Sequence, residues 1–592
     1  MKSYNKKKES FRMLLLAGAM VVSGCNSDFL DTVPSSSISS SATWTSSNLA
    51  MGVVNGVYQQ LYHDFDCDGY DVAAFDTYTE VMDVDVNWVG GISPFTVGTA
   101  TVNSGVFTRY WKNFYEGIYR ANDVIANIGH VPDMSDADKG RLIAECKVLR
   151  AYNYFRLNAL WQGVPIYTEP MMVGNTKKGR SSAEEVWKQV ITDCTDAIDE
   201  ANLPDKYSPT DAHYGRATKG AAYTLRGKAY MWLKDYAHAE ADFRHVTGMG
   251  YSLFPDYASM FTEENEKNDE YILQYQYEDQ EGLGNSLARG YGNRCSVEYS
   301  WNNYIPNPCF VDSYETVDGK PFSIDDIIPG YSSMTDKQRI VYYLRDGLTT
   351  DEKNTQQEIG ADMSKYLSSG NEARILRVYD NRDPRMKANF ITPYSTYVGG
   401  ATGTDHTYTL RWPYRGFDAA APYDLRTDTN AKFYYLWRKF VLVGHQHKDH
   451  DNSPIDYPIF RYADVLISLA EALNEQNKTT EAITYINQVR ARAGVALLNS
   501  NTYTQVHGQA DMRTRIQNEY GWEMAGENVL YYNELRWKTW KEKKFDKADG
   551  MTEIWGSKTY HNNWVDEYLY KWAVPQAEIE RNRNLHQNDG WY

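Results

Sequence analysis

The sequence lacks the marks of the commonest enzyme classes. No G-x-S-x-G elbow, H-E-x-x-H helix, phosphate-binding loop or dinucleotide fingerprint occurs in its 592 residues. A basic surplus is missing as well. Lys and Arg number 61 against 78 Asp and Glu, a net charge of −17. That balance disfavours nucleic acid and anionic membrane surfaces as ligands. The charge is spread along the chain, so it reads as a device for solubility. Beyond the first two dozen residues no apolar run is long enough to cross a bilayer, which takes about 20 residues. Cysteine is scarce, at six. With Cys25 set aside, Cys67, Cys146, Cys194, Cys295 and Cys309 leave an odd remainder and no disulfide framework. Cys146 and Cys194 sit in helical patterns and read as small buried apolar residues. Cys295 and Cys309 could pair across one loop.

What is present begins with a leader. Lys2, Lys6, Lys7, Lys8 and Arg12 precede a short apolar core from Met13 to Val22, and Val21-Val22-Ser23-Gly24-Cys25 closes it. Charged and apolar regions in that order make a secretory signal, and small residues before a Cys suit a bacterial lipoprotein signal peptidase. The alternatives are an ordinary signal with a chance Cys, or a short membrane anchor, for which the apolar core is too short. The expected outcome is cleavage before Cys25 and lipidation of that residue. Acyl chains would anchor it, each buried CH₂ contributing about 0.8 kcal/mol.

Residues 26–46 are Ser-rich and read as a flexible tether. The body exceeds the ~250–300 residues that one core usually serves, so two lobes or one elaborated helical domain are expected. Helical patterns run over 48–62, 104–128, 135–161 (with Ser135 as N-cap) and 181–201. Two more, 216–233 and 236–246, make a hairpin. There Gly227, Tyr230, Ala239 and Phe243 follow the small-large spacing of tetratricopeptide repeats, echoed weakly by Ala470, Leu473, Ala482 and Ile486. Between them lies a stretch rich in Gly, Pro, Asn and Tyr with little helical period. The expected fold is mainly α, a tetratricopeptide-like scaffold of helical hairpins with a large loop-rich, mixed insertion. The expected division is 1–24 signal, 25–46 tether, 47–250 N-terminal helices, 251–455 insertion and 456–592 C-terminal helices. Arg461 and Asp464 lie three apart on one helix face and are expected to pair locally.

Aromatics are plentiful: 48 Tyr, 16 Trp and 19 Phe. Most belong in a core, but Trp and Tyr on loops offer flat faces with polar tips that suit sugar rings or peptides. Two stretches offer such rings. One holds Asp83, Asp85, Asn87, Trp88 and Phe95 among Gly90 and Gly91; the other holds Arg289, Tyr291, Asn293, Tyr299, Trp301, Asn302 and Tyr304. Trp88 and Trp301 lead this set, and a third stretch, Tyr394 to Trp412, ranks below them. The bland alternative is that these rings plug small loop cores. Two clusters invite metals. Asp64, Asp66, Asp68 and Gly69 open like an EF-hand loop, but Phe75 stands where the bidentate Glu belongs, so a structural Ca²⁺ is disfavoured. His445, His447 and His450 with Asp449 and Asp451 could hold a transition metal, though a solvated loop is the plainer reading.

An ordered set of motifs resembles the SusD/RagB family of Bacteroidetes outer-membrane lipoproteins. Asp28-Phe29-Leu30-Asp31 with Pro34 is similar to its mature start, and Trp111, Tyr115, Ile118, Ala121-Asn122 and Val124-Ile125 to its first long helix. Glu145, Lys147, Leu149-Arg150-Ala151, Tyr154 and Val164-Pro165 resemble its most recognisable stretch, and Tyr314 with Asp318-Gly319 a later segment. Arg461 to Leu466, Ala470-Glu471-Ala472, Ile486-Asn487, Val489-Arg490 and Arg492-Ala493-Gly494 resemble its C-terminal signature. Pro575, Glu578-Ile579, Asn588, Gly590 and Trp591 resemble its ending. One departure is Tyr531-Tyr532-Asn533 before Glu534-Leu535-Arg536-Trp537, where the family often carries an Arg-rich stretch. The resemblance implies a binder without cofactor or catalysis, on the outer face of the outer membrane. There it would capture oligosaccharides, or peptides in RagB-like members, for a SusC-like TonB-dependent transporter. The competing classes are a glycoside hydrolase with paired carboxylates, whose separation needs a fold to read, and a scaffold that binds only protein.

Overall fold

The computed structural model describes residues 43–65, 74–172, 174–416, 420–427 and 431–592. Cys25, Cys67, Asp66 and Asp68 lie outside the described residues. Ten principal helices form the scaffold. They are α1 (Ser47–Phe65), α2 (Gly105–Asn127), α3 (Asp136–Trp161), α4 (Ala183–Asp199), α5 (Lys219–Leu233), α6 (Tyr236–Thr247), α7 (Tyr462–Glu475), α8 (Thr479–Ala493), α9 (Gln509–Met524) and α10 (Leu530–Trp537). Their starts follow local chemistry. The Ser135 side chain accepts the Asp138 amide at α3, and Ser182 and Glu185 form a reciprocal capping box at α4. Consecutive helices pack on one another from α1 to α6, and α6 then packs on α7 across the long intervening segment. The hairpin spacing has a direct physical counterpart. A Cβ on Gly227 would stand 2.7 Å from Phe243 Cε1, so only Gly lets α5 and α6 approach this closely.

The segment between α6 and α7 is irregular and built from short strands. β2 (Tyr271–Tyr275) pairs antiparallel with β9 (Tyr457–Arg461), so the chain leaves and re-enters the helical array side by side. Within the insertion, β4 (Phe390–Ile391) pairs with β8 (Leu436–Trp437), and β5 (Thr396–Gly399), β6 (His406–Thr409) and β7 (Tyr423–Asp424) form a small sheet. A further pair, β1 (Met82–Val84) with β3 (Tyr304–Pro306), ties the insertion to the N-terminal helical region. The chain after α10 folds back on the array, where the Trp161 indole donates to the Ala573 carbonyl at 2.8 Å.

Most of the aromatic surplus is core. Trp161, Trp437, Trp540 and Trp572 are fully buried, and Phe75, Tyr78, Phe95, Tyr531 and Trp572 share one continuous cluster of ring contacts. A buried ionic network lies beside it. Arg461 reaches Glu270, Glu523 and Glu527 at 2.6–2.7 Å, and Arg385 reaches Asp383, Glu519 and Glu523 at 2.7–2.9 Å. This corrects the expected local pair of Arg461 with Asp464. Arg461 ends β9 in extended backbone, ahead of the first turn of α7, and its guanidinium turns into the network. Asp464 instead binds Lys228 at 2.8 Å and the Tyr520 hydroxyl at 2.9 Å. Cys295 and Cys309, which could have paired across one loop, do not: both thiols are free. Cys295 is buried, its Sγ accepting the Arg426 amide, whereas Cys309 is exposed at the start of a short helix (Pro308–Ser313).

Candidate ligand-binding site

The two leading tryptophans, more than two hundred positions apart in the chain, meet in space. Pairing of β1 with β3 sets Val84 opposite Tyr304, and the Asp85 amide continues the ladder to the Asn303 carbonyl at 2.8 Å. Trp88 and Trp301 then stack on one another, with ring centroids 6.4 Å apart and planes 15° from parallel. Trp88 is 42 % exposed and Trp301 is half-buried, so the pair reaches the surface. The fixings beneath are buried. Lys544 donates to Asp83 at 2.8 Å, and the Asn307 amide donates to the other Asp83 oxygen at 2.7 Å. The Asp85 carboxylate accepts both the amide and the side chain of Asn87, closing an Asx turn that sets up Trp88.

Trp301 has its own supports. The Arg289 guanidinium lies 5.1 Å from its ring centroid, and the His450 ring meets it edge-on at 5.9 Å. Arg289 is held by Asp451 at 2.5 Å. The backbone here is strained. Glu298, Tyr299 and Asn302 all have positive φ, at 47°, 55° and 54°, and each such residue costs on the order of 1 kcal/mol. Three in five positions hold Tyr299 out from the surface, 38 % exposed.

Other members of the predicted set fall away from the surface. Tyr291 is fully buried, stacks on Trp437 at 4.7 Å and cannot meet a ligand. Asn302, Asn293 and Asp85 are buried too, and so shape the loops from within. In the third stretch Tyr394 and Trp412 are core, but Tyr408 on β6 comes round to line a hollow beside Tyr299. Sequence alone gave no signal that Tyr408, Tyr423, Arg294 and Arg426 would gather there; their partner strands had to be known.

The calcium reading falls mostly outside the described residues, and the histidines of the other reading each face different partners. His445 faces Asp405, His447 faces Asp279 and Glu263, and His450 faces Glu298 and Asp451. Among the described residues no three metal-binding side chains converge. Asp64 falls in the last turn of α1, and Asp76 is turned inward, where it accepts the Asn528 amide. A separate cavity of about 800 Å³ lies within the helical array between Arg156, Trp232, Phe460 and Tyr532. Of its three cations, Lys228 and Arg536 are held by Asp464 and Glu471, and Arg156 lies 4.3 Å from the Phe114 ring.

A helical array bearing an irregular insertion, with aromatic rings exposed where the insertion meets an N-terminal loop, defines a recognisable class of scaffold. Residues 269–591 match the profile described as the SusD family, and residues 28–231 match one described as starch-binding associating with outer membrane. The chain belongs to the SusD family. It is 25 % identical over 549 residues to SusD-like protein P25 of Formosa agariphila, covering 90 % of this chain and 88 % of that one. It is 23 % identical over 489 residues to the starch-binding protein SusD of Bacteroides thetaiotaomicron, covering 77 % and 74 %. The crystal structure of a SusD-like carbohydrate binding protein from Bacteroides fragilis superposes with a TM-score of 0.70 at 21 % identity, over 92 % of this chain and all (100 %) of that one.

Proposed function

We propose that this protein is a cell-surface glycan-binding lipoprotein. It captures oligosaccharides and hands them to a SusC-like TonB-dependent transporter in the outer membrane. The observation that carries the reading is the Trp88–Trp301 platform at the surface, braced by Arg289 and by a strained loop. An exposed indole accepts the apolar face of a sugar ring, and neighbouring polar groups such as Asn87 and Arg289 reach hydroxyls. The family relationship, the leader ending at Cys25 and relatives named for starch and carbohydrate binding support the same reading. The protein itself binds and does no chemistry.

The test is binding of the purified protein to panels of polysaccharides and peptides by affinity electrophoresis and calorimetry, beside Trp88→Ala and Trp301→Ala. Loss of one indole removes stacking and, for Trp301, its cation–π support, about 1–3 kcal/mol together. Affinity for a glycan should fall by about tenfold to a hundredfold. Binding that survives both changes discards the site. A response to peptides alone replaces glycan capture by peptide capture.

A further inference from the structure

Beside the Trp88–Trp301 pair the insertion borders an open hollow of about 550 Å³. Tyr299, Tyr408 and Tyr423 line it together with Arg294 and Arg426. We propose that this hollow is a subsite for an acidic sugar residue, carboxylated or sulfated, next to the residue lying on Trp301. The proposal rests on the glycan reading above and narrows it to anionic glycans.

Position comes first. Tyr299 stands two residues from Trp301, so their Cα atoms are at most about 7 Å apart. One oligosaccharide can therefore touch both. Rigidity comes second. β6 and β7 pair in register with Tyr408 opposite Tyr423, and their rings sit 5.8 Å apart. The tyrosine walls are thus set by a sheet and not by a free loop.

Charge selects the ligand. The Arg426 guanidinium lies 5.2 Å from the Tyr299 ring, and Arg294 donates to the Tyr299 carbonyl at 2.6 Å. Each has other partners, but a guanidinium carries five N–H donors in a fork that suits carboxylate and sulfate oxygens. Asp424 is the single carboxylate among the described lining residues. It is already held by Arg411 at 2.9 Å and by Arg415 at 2.6 Å. Burial would raise its pKa, but these arginines outweigh that and keep it below the usual carboxylate range. Among the described lining residues, then, two arginines stand beside one carboxylate that is itself neutralised by two more, in a chain whose net charge is −17. What these guanidinium groups offer a ligand acts at contact range, because salt screens the distant negative charges of the chain beyond about 8–10 Å.

The experiment compares matched probes on the purified protein by calorimetry. Oligogalacturonate is set against its neutral methyl ester, and a carrageenan oligosaccharide against its desulfated form. At least one acidic probe should bind tenfold or more tighter than its neutral partner, with an advantage that shrinks as salt rises. Arg294→Gln and Arg426→Gln should each erase that advantage, weakening the acidic form far more than the neutral one, while Trp301→Ala weakens both forms alike. The carboxylate and sulfate arms show which acid is taken. Equal binding of charged and neutral forms by wild type overturns the subsite, whatever the variants do. So does an acidic preference that survives both arginine changes in folded protein. Binding of a neutral glycan through Trp301 with no acidic preference sinks only this proposal, whereas silence toward every glycan sinks the underlying reading as well.

Discussion

Replacing Glu523 by Gln tests the ionic network that binds insertion to scaffold. Glu523 is fully buried on α9, and its carboxylate accepts from Arg461 at 2.6 Å, from Arg385 at 2.9 Å and from Arg492. The change keeps size and shape but removes the charge that three guanidinium groups share. Hydrogen bonds to charged groups contribute about 1.5–3 kcal/mol each, and breaking one member of a buried pair costs about 3–5 kcal/mol. Arg461 keeps Glu270 and Glu527, and Arg385 keeps Asp383 and Glu519, which places Glu523→Gln near the lower end, about 3 kcal/mol. The pH dependence carries a definite sign. Burial would raise the Glu523 pKa, yet Arg492, Arg461 and Arg385 outweigh it and hold the carboxyl far below the usual range. A depressed folded pKa gives stability that is present above the unfolded value, about 4.3, and lost as pH falls below it. Urea midpoints of wild type and variant, taken from pH 8 down to pH 3, should therefore differ by a constant amount to about pH 5 and by a steadily shrinking amount below about pH 4. A difference under about 1 kcal/mol at pH 7, or one that persists undiminished in acid, refutes the assignment.

Three further outcomes follow from packing and burial. Gly227→Ala would ordinarily add about 0.5–1 kcal/mol to a helix, but the new methyl meets the buried Phe243 ring at 2.7 Å, so thermal melts should show a net loss of about 1–2 kcal/mol. Asp76→Asn should gain on wild type between pH 5 and pH 8 by about 1–3 kcal/mol, because burial pushes the Asp76 pKa up to about 7 and wild type loses stability as pH rises toward it; a gap that is flat with pH speaks against this. Alkylation of unfolded, unreduced protein should label both Cys295 and Cys309, and recovery of a linked peptide pair would contradict the fold at that loop.

The helical scaffold was readable because its signals are local: Ser135 and Ser182 cap their helices, and Gly227 with Phe243 follows a fixed spacing. The platform was readable only in part. Trp88 and Trp301 stand out as loop tryptophans, but nothing local announces that three-residue strands at Met82–Val84 and Tyr304–Pro306 will pair and stack them. Tyr291 misled because a tyrosine near such a loop looks the same whether its ring faces solvent or Trp437. Arg461 misled in the same way. Its helical spacing from Asp464 is genuine, but the residue is the last of a strand, and three distant carboxylates outbid the near one. Register and long-range charge pairing are properties of the assembled chain and leave little trace in any short window.

The antiparallel pairing of β2 with β9 makes the whole insertion a single giant hairpin as seen from the helical array. Loop-closure entropy rises only with the logarithm of length, about 0.6 kcal/mol per doubling, so the hairpin can grow, shrink or be rewritten at small cost while its stem stays closed. Mutation can therefore explore new ligands in the insertion while α6 and α7 remain in contact and the scaffold stays as it is. The same geometry marks Tyr275 and Tyr457, which face each other across the stem, as the ends of the segment that, exchanged together with the loop bearing Trp88, would carry the candidate site from one such protein to another.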